Sequence, residues 1–224
     1  MTNIADAEIL AHPSNYYTAA AALRRYSVPL DPKGVCLHTT ESWGLSSQWS
    51  ANNASANASW DYEVTRNGRI IRNVPLGCTA WTQGVNFGGS VDTGWRPAWW
   101  TPGMGSYNQC MVGIEVQGKA SKPHDTMPAE QREAIARLVA WVSGYYEFPL
   151  ERNRLVGHEQ LATNKTDPTP YVDIDEVYAD ARALQAEQPT HAGDVLGRLD
   201  KLEREVIELQ RRLSDGASGL LGED

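Results

Sequence analysis

Short apolar segments alternate with longer segments of helical periodicity over the first 188 residues, and this alternation constrains the fold more than any other feature. Strands are predicted at 34–40, 60–65, 69–74, 111–117 and just before His158. Helices are predicted at 15–26, 46–57, 128–146 and 173–188. Interleaved strands and helices indicate an α/β or α+β domain that ends near residue 188.

The dipeptide Asn67-Gly68 lies between two of these strands and predicts a tight hairpin. Both residue types tolerate a positive φ angle, which short turns between antiparallel strands commonly require. We therefore expect 60–65 and 69–74 to pair as neighbours in the sheet.

A long segment at 84–109 is rich in Gly, Pro, Trp, Ser and Asn and has no clear period. Loops of this length inside a compact domain are usually functional. Three of the eight tryptophans, Trp95, Trp99 and Trp100, lie close together in it. Their rings either stack on sugar rings beside a glycan groove or pin the loop onto the core, and the sequence leaves both interpretations open.

The last part of the chain differs in organisation from the rest. Residues 189–193 form a predicted linker, residues 194–214 an amphipathic helix and residues 215–224 a flexible tail. The apolar positions of this helix follow a heptad seam: Val195, Leu199, Leu202, Val206, Leu209 and Leu213. Such a seam predicts a short coiled coil through which the chain forms a homo-oligomer. The alternative is a single helix lying back on the domain.

The charge and hydropathy of the chain exclude several classes of function. A formal net charge of −8 gives no indication of a basic surface that would bind nucleic acid. No apolar run approaches the roughly 20 residues that span a bilayer, so no membrane insertion is expected. The first residues lack the basic and apolar regions of a secretory signal. Three widely spaced cysteines with no C-x-x-C pair favour buried thiols over a disulfide framework.

Two of the five histidines, His38 and His158, lie at or near the ends of predicted apolar strands. Either one alone is more typical of a structural histidine than of a metal ligand. The segment after His158, however, contains Lys165 and Asp167 within one short loop. Two imidazoles and one carboxylate would leave the fourth position of a tetrahedral Zn²⁺ open, which distinguishes catalytic from structural zinc. A cation such as Lys165 would then stabilise a developing oxyanion.

Four blocks of the sequence, in order, resemble the type 2 N-acetylmuramoyl-L-alanine amidase family, which includes phage endolysins, cytosolic cell-wall recycling amidases and peptidoglycan recognition proteins. The blocks span roughly residues 30–185: Val35 to Thr40, Ala58 to Gly68, Asn108 to Gly118, and Gly157 to Pro168. The resemblance implies a central mixed β-sheet flanked by helices, with a zinc groove on one side. Its last block is the most specific of the four.

Residue by residue, the resemblance implies His38, His158 and Asp167 as zinc ligands. It also implies Glu115 as the general base and Lys165 as the electrostatic stabiliser. We expect the substrate to contact a further set of residues: Trp60, Trp81, Trp99, Trp100 and Asn108.

The chain departs from the family pattern at several positions. Trp60 and Asp61 stand where many relatives carry a Tyr and a His in the hairpin. The common Trp-His-Ala-Gly motif is Trp81-Thr82-Gln83-Gly84 here, and Pro168 is followed by Thr169 instead of Gly. Branches of the family with a glutamate at the position of Glu115 do not need the hairpin Tyr, so the departures are compatible with activity.

Together these features predict a zinc amidase that cuts peptidoglycan between N-acetylmuramic acid and L-alanine. The expected setting is a phage lysin, made in the host cytoplasm and released to the wall by a holin-type lesion or by lysis. One alternative is a cytosolic muropeptide-recycling amidase. The other is a non-catalytic peptidoglycan-binding or virion structural module.

Overall fold

The structure, a computed structural model, describes residues 4–26, 30–101, 103–104, 106–122 and 124–187. Backbone contacts place all of the strands of the described residues in one compact unit that ends at Leu184. The predicted linker at 189–193, the heptad helix at 194–214 and the tail at 215–224 lie outside the described residues and stay predictions.

A six-stranded mixed sheet forms the centre of the domain. Its strands are β1 (Ala7–Glu8), β3 (Gly34–Thr39), β4 (Tyr62–Val64), β5 (Ile70–Arg72), β7 (Met111–Val116) and β8 (Leu155–Gly157), in the order β1-β5-β4-β7-β3-β8. All neighbouring strands are parallel except β4 and β5, which are antiparallel. The predicted mixed sheet and its five strands are therefore confirmed.

A second, two-stranded sheet was not predicted. It pairs β2 (Tyr16–Tyr17) with β6 (Thr79–Ala80) in antiparallel register. The predicted helix at 15–26 is wrong in its first part because Tyr16 and Tyr17 belong to this ladder. A short 3-10 turn (Pro13–Asn15) precedes them, and helix α1 begins only at Ala19.

Four helices lie between strands along the chain, and two follow the last strand, β8. They are α1 (Ala19–Tyr26), α2 (Ser46–Asn52), α3 (Tyr107–Cys110), α4 (Ala129–Tyr145), α5 (His158–Leu161) and α6 (Ile174–Glu187), with a 3-10 turn at Arg152–Arg154. Helix α2 ends five residues before its predicted end, at a run of Asn and Ser side chains that compete with helical backbone hydrogen bonds. Within the described residues, no helix is both long and apolar enough to cross a bilayer.

The hairpin predicted at Asn67-Gly68 joins β4 to β5, with Val64 opposite Ile70. The Gly68 amide donates to the Thr65 carbonyl at 2.9 Å, and Gly68 adopts a φ of 75°. The turn is therefore a three-residue loop that ends in a left-handed glycine. An ideal Cβ at Gly68 would lie 2.7 Å from the Glu130 carbonyl oxygen, so glycine is also required for close packing against α4.

Alternation along the strands divides the domain into two faces. Val35 and Leu37 of β3 belong to the main hydrophobic core, to which α4 and α6 also contribute. Cys36 of the same strand belongs to a second cluster with residues of the long loop, including Trp95 and Trp99. His38 alternates with Leu37 and therefore shares this second face of the sheet.

A candidate metal centre at the strand ends

The sheet brings the sequence-predicted ligands to one edge. His38 is the fifth residue of β3 and pairs with Glu115 of β7, while Leu37 pairs with Gly157 of β8. His158 directly follows Gly157 as the first residue of α5. Because β3, β7 and β8 are parallel, their carboxyl ends meet at the same edge of the sheet.

Three ligand atoms converge there from His38, His158 and Asp167, and all lie within 4.8 Å of one another. The two Nδ1 atoms are 3.0 Å apart, and Asp167 Oδ2 lies 3.7 Å from His38 Nδ1 and 3.4 Å from His158 Nδ1. Tetrahedral ligands on Zn²⁺ at bond lengths of about 2.0–2.2 Å lie roughly 3.4 Å apart. The spacing of the three atoms therefore fits one zinc ion, with a fourth position left for a ligand from solvent or substrate.

The protonation of His158 is set by its other ring nitrogen. Nε2 lies 2.9 Å from the Gln83 carbonyl oxygen and must carry a proton to donate to it. In the neutral ring Nδ1 is then bare and faces His38 and Asp167. Ligand histidines are commonly oriented by such an outer hydrogen bond.

A further hydrogen bond anchors the residue that orients His158. The Gln83 amide donates to Asn108 Oδ1 at 2.9 Å, so the side chain of Asn108 holds the Gln83 peptide in place. Gln83 is 1% exposed and His158 is 4% exposed. Asn108, Gln83 and His158 thus form a chain of contacts that ends at the candidate metal ligand.

His38 is neutral in this setting. Burial lowers its pKa well below the ordinary value, and the neighbouring His158 acts in the same direction. Its Nε2 is buried without a hydrogen-bond partner among the described residues. A neutral imidazole keeps the lone pair on Nδ1 that a metal requires.

Backbone contacts hold the Asp167 loop. The Glu159 amide donates to the Asp167 carbonyl at 3.0 Å, and the Thr39 amide donates to Asp167 Oδ2 at 3.4 Å. Burial alone would raise the pKa of Asp167. The contacts with His158 and His38 outweigh that effect and keep this pKa below its ordinary value. The carboxylate is therefore ionised at neutral pH.

Glu115 lies beside the triad on β7, and its Oε2 is buried without a hydrogen-bond partner among the described residues. Burial raises its pKa to about 8, the negative charges of Asp167 and Glu63 add to the increase, and the positive charge of Lys165 opposes it. A cation at the triad would act in the same direction as Lys165. The Lys165 side chain itself is exposed.

A cavity of about 360 Å³ opens next to Glu115 and is lined in part by Trp60 and Trp49. Of the five residues predicted to contact substrate, Trp60 lines this cavity; Trp81, Trp99, Trp100 and Asn108 do not.

The other three tryptophans contact the protein itself. The Trp81 ring packs against Tyr17 at a centroid distance of 4.9 Å. Trp99 Nε1 donates to the Asn153 carbonyl at 3.4 Å, and the Trp100 ring lies 5.9 Å from that of Phe87. These contacts favour the interpretation in which the loop tryptophans hold the loop in place.

An ion pair fixes the same loop. The Arg96 guanidinium donates to Asp92 Oδ2 at 2.6 Å and lies 5.2 Å from the Trp100 ring and 4.9 Å from the Phe87 ring. The hydrogen bond from Arg96 holds the pKa of Asp92 well below its ordinary range. Tyr107 also joins the cluster, since its hydroxyl donates to the Trp95 carbonyl at 2.7 Å. Within the described residues of segment 84–109, contacts among the segment's own side chains therefore hold the loop together.

Sequence reasoning missed the roles of three residues of the site: Gln83, Thr39 and Glu63. Gln83 and Thr39 act through backbone atoms, which carry no signal in residue identity. Glu63 carries one usable signal, since it is an acidic residue within a strand whose neighbours are apolar.

Comparison with known proteins gives matches to both sequence and fold. Residues 28–170 match the family model described as N-acetylmuramoyl-L-alanine amidase. No curated protein matches the sequence.

Three solved structures share the fold at a TM-score of 0.54. A selenomethionine derivative of AmpD is 20% identical, and the alignment covers 82% of this chain and 96% of that one. A mutant endolysin from Bacillus subtilis is 16% identical, with 81% and 99% covered. The catalytic domain of XlyA is 15% identical, with 80% and 99% covered.

Proposed function

This chain belongs to the N-acetylmuramoyl-L-alanine amidase family, and from that premise we propose that it is a zinc-dependent amidase that cuts peptidoglycan as a phage lysin. The bond cleaved joins the lactyl group of N-acetylmuramic acid to L-alanine of the stem peptide. The observation that carries the proposal is the convergence of His38 Nδ1, His158 Nδ1 and Asp167 Oδ2 next to Glu115.

These three side chains would hold the ion. When bound, zinc supplies Lewis acidity, which polarises the scissile carbonyl and lowers the pKa of water at the site. The donor set of two neutral imidazoles and one carboxylate is typical of catalytic zinc.

Glu115 is proposed to move the proton. Its carboxylate accepts a proton from the attacking water and then donates it to the nitrogen of the leaving alanine, so that the amine departs neutral. The buried Oε2 has no competing hydrogen bond among the described residues, which supports this role. Lys165 is proposed to stabilise the negative charge that develops on the carbonyl oxygen in the transition state.

The proposed biological setting is that of a lysin, whose substrate is the intact cell wall. The fold likeness to an endolysin is compatible with this setting. The alternative, recycling of soluble muropeptides, requires the same chemistry on a smaller substrate. Intact sacculi and soluble anhydromuropeptides therefore distinguish the two roles.

The test measures release of new N-terminal alanine from purified sacculi and from soluble anhydromuropeptides. We expect release from sacculi by the wild type, loss of release with a chelator and recovery with added zinc. Glu115→Gln, which keeps the shape of the side chain but removes its basicity, should lose about 10²–10⁴-fold in kcat while binding zinc normally.

Two outcomes would contradict the proposal. Release only from soluble muropeptides would assign the recycling role. No release from either substrate by zinc-loaded protein would favour a non-catalytic binding or structural module.

A further inference from the structure

The segment between two of the candidate metal ligands has little regular structure of its own. We call residues 159–166, which join His158 to Asp167, the ligand loop. Helix α5 ends at Leu161, and residues 162–167, all of which the structure describes, form no further helix or strand. Backbone groups in such a segment need partners from elsewhere in the fold. The position of Asp167 relative to His158 therefore depends on what holds the ligand loop.

The long loop at 84–109 supplies these partners through a short antiparallel bridge. The Thr163 amide donates to the Val91 carbonyl at 2.8 Å, and the Thr93 amide donates to the Leu161 carbonyl at 3.1 Å. The two loops are thus joined through backbone hydrogen bonds, as neighbouring antiparallel strands are.

The side chain of Thr93 strengthens this link. Its hydroxyl donates to the Gln160 carbonyl at 2.6 Å and accepts the Trp95 amide at 3.2 Å, so one oxygen contacts both loops. Leu161 and Ala162 are buried in the hydrophobic cluster to which Trp95 also packs. The ligand loop is therefore held by both hydrogen bonds and apolar contacts to the long loop.

A buried carboxylate fixes the part of the long loop that makes these contacts. The side chain of Asp92 is 3% exposed. It accepts the Gly88 amide at 2.6 Å, the Gly94 amide at 3.0 Å and the Arg96 guanidinium at 2.6 Å. Hydrogen bonds to a carboxylate are stronger than those between neutral groups. Asp92 thus holds the backbone on both sides of the residues that pair with the ligand loop.

Aromatic residues of the long loop surround the partner of Asp92. The Arg96 guanidinium donates to the Tyr107 hydroxyl oxygen at 2.9 Å and lies within 5.2 Å of the Phe87 and Trp100 ring centroids. A planar guanidinium stacks on aromatic faces while it keeps its hydrogen bonds. The aromatic composition of the long loop is therefore explained in part by the need to hold the Asp92–Arg96 pair.

We propose that Asp92 is a positioning residue for the candidate metal centre. It holds the long loop in the conformation that pairs with the ligand loop, and this pairing sets the position of Asp167 relative to His158. The inference rests on the proposed function, because it concerns the residues that would bind zinc, but it does not depend on the substrate. The long loop then serves the metal centre through its own internal contacts.

A second ion pair of the domain provides a matched control. Asp125 is also largely buried, with 11% of its side chain exposed, and accepts the Arg66 guanidinium at 3.0 Å. The Lys119 amide donates to the same carboxylate at 3.3 Å, and Arg66 also donates to the Tyr171 hydroxyl oxygen at 2.8 Å. This pair has the same types of partner as Asp92, but its partners lie outside the ligand loop.

The experiment measures zinc affinity of the full-length protein by competition titration, and amide hydrogen exchange of the metal-free protein. Asp92→Asn keeps the shape of the side chain but removes its charge and places an amide group towards Arg96. We expect about tenfold weaker zinc binding, as for loss of a group that orients a ligand, and faster exchange at the Thr163 amide. Asp125→Asn should lower stability but keep zinc affinity within about twofold of the wild type and leave exchange at Thr163 unchanged.

Three results would overturn the inference. The first is zinc affinity of Asp92→Asn within about twofold of the wild type, and the second is unchanged exchange at Thr163 in that variant. The third is an equal loss of zinc affinity in Asp125→Asn, which would show that general destabilisation is the cause. If Asp92→Asn does not fold, Thr93→Val takes its place, since it removes only the hydroxyl that contacts both loops and should also weaken zinc binding.

The wild type separates this inference from the proposed function. Absence of zinc binding by the wild type would overturn both together. Zinc binding by the wild type that Asp92→Asn retains in full would overturn the positioning role alone.

Discussion

Replacing Asn108 by alanine tests whether contacts outside the ligand triad hold His158 in place. Asn108 Oδ1 accepts the Gln83 amide at 2.9 Å, and the Gln83 carbonyl accepts His158 Nε2 at 2.9 Å. Asn108→Ala removes the first acceptor. The Gln83 peptide is then free to rotate, and the His158 ring loses its fixed orientation.

The expected effect on metal affinity follows from the distance of the change from the ion. Loss of a partner that directly contacts a ligand typically costs about 10–100-fold in metal affinity. Asn108 contacts Gln83 and not the ligand His158 itself, so we expect a loss of zinc affinity at the lower end of this range. That loss is about tenfold, which corresponds to about 1.4 kcal/mol. An unsatisfied, partly buried amide at Gln83 should also lower the free energy of unfolding by about 1–3 kcal/mol.

The assay is a competition titration of zinc against a colorimetric chelator, with urea unfolding of the metal-free protein measured in parallel. Asn108→Asp is the matched control, since it keeps an oxygen acceptor at the same position and should retain most of the zinc affinity. Zinc affinity within about twofold of the wild type for Asn108→Ala, together with reduced stability, would refute the reasoning. Asn108 would then support the loop without orienting the ligand.

Three further predictions concern charge, pH and the hairpin. Lys165→Met should lower kcat about 10²–10³-fold, the cost of losing one oxyanion partner, and should leave zinc affinity unchanged. Lys165→Arg is the control that retains the charge. Equal impairment of the two variants in steady-state kinetics would contradict this role. Burial raises the pKa of Asp61 to about 7. Between about pH 4 and pH 7 the folded state therefore keeps a proton that the unfolded state has lost. The free energy of unfolding should fall as pH rises through this range. Urea unfolding of Asp61→Asn from about pH 5 to pH 8 should show a smaller fall than the wild type, and equal slopes would count against the assignment. Gly68→Ala should lower the free energy of unfolding by more than Gly77→Ala does. Nothing lies within 4 Å of an ideal Cβ at Gly77, so only the left-handed conformation adds a cost there, about 1–2 kcal/mol. Equal losses of stability in thermal unfolding would show that the contact at Gly68 is harmless.

The sequence by itself determined the strands that carry the site. Long hydrophobic patterns in the local sequence mark strands β3 and β7 and helix α4. Runs such as Val35 to Leu37 and the apolar face of α4 follow from burial on one side of the sheet. The Asn67-Gly68 turn is likewise a local signal. Short elements such as β1, β2 and β6, of two residues each, have no such pattern, because their hydrogen-bonding partners are far away in the chain.

The candidate ligands His38, His158 and Asp167 were predictable because each follows or ends a recognisable segment, and the family resemblance joined them. Their convergence within 4.8 Å, however, depends on β3 and β8 being neighbours in the sheet. The heptads after residue 194 stay a prediction, since they lie outside the described residues.

The tertiary structure alone decided which groups surround the ligands and the groove. The contact between Gln83 and His158 joins residues 75 positions apart through a backbone carbonyl, and the bond from Ser47 to Glu63 also uses backbone. Backbone amides and carbonyls are the same in every residue except proline, so residue identity carries no record of these partners. Side-chain type and spacing determined which residues have the chemistry for the site, and packing of the two sheet faces decided which of them meet.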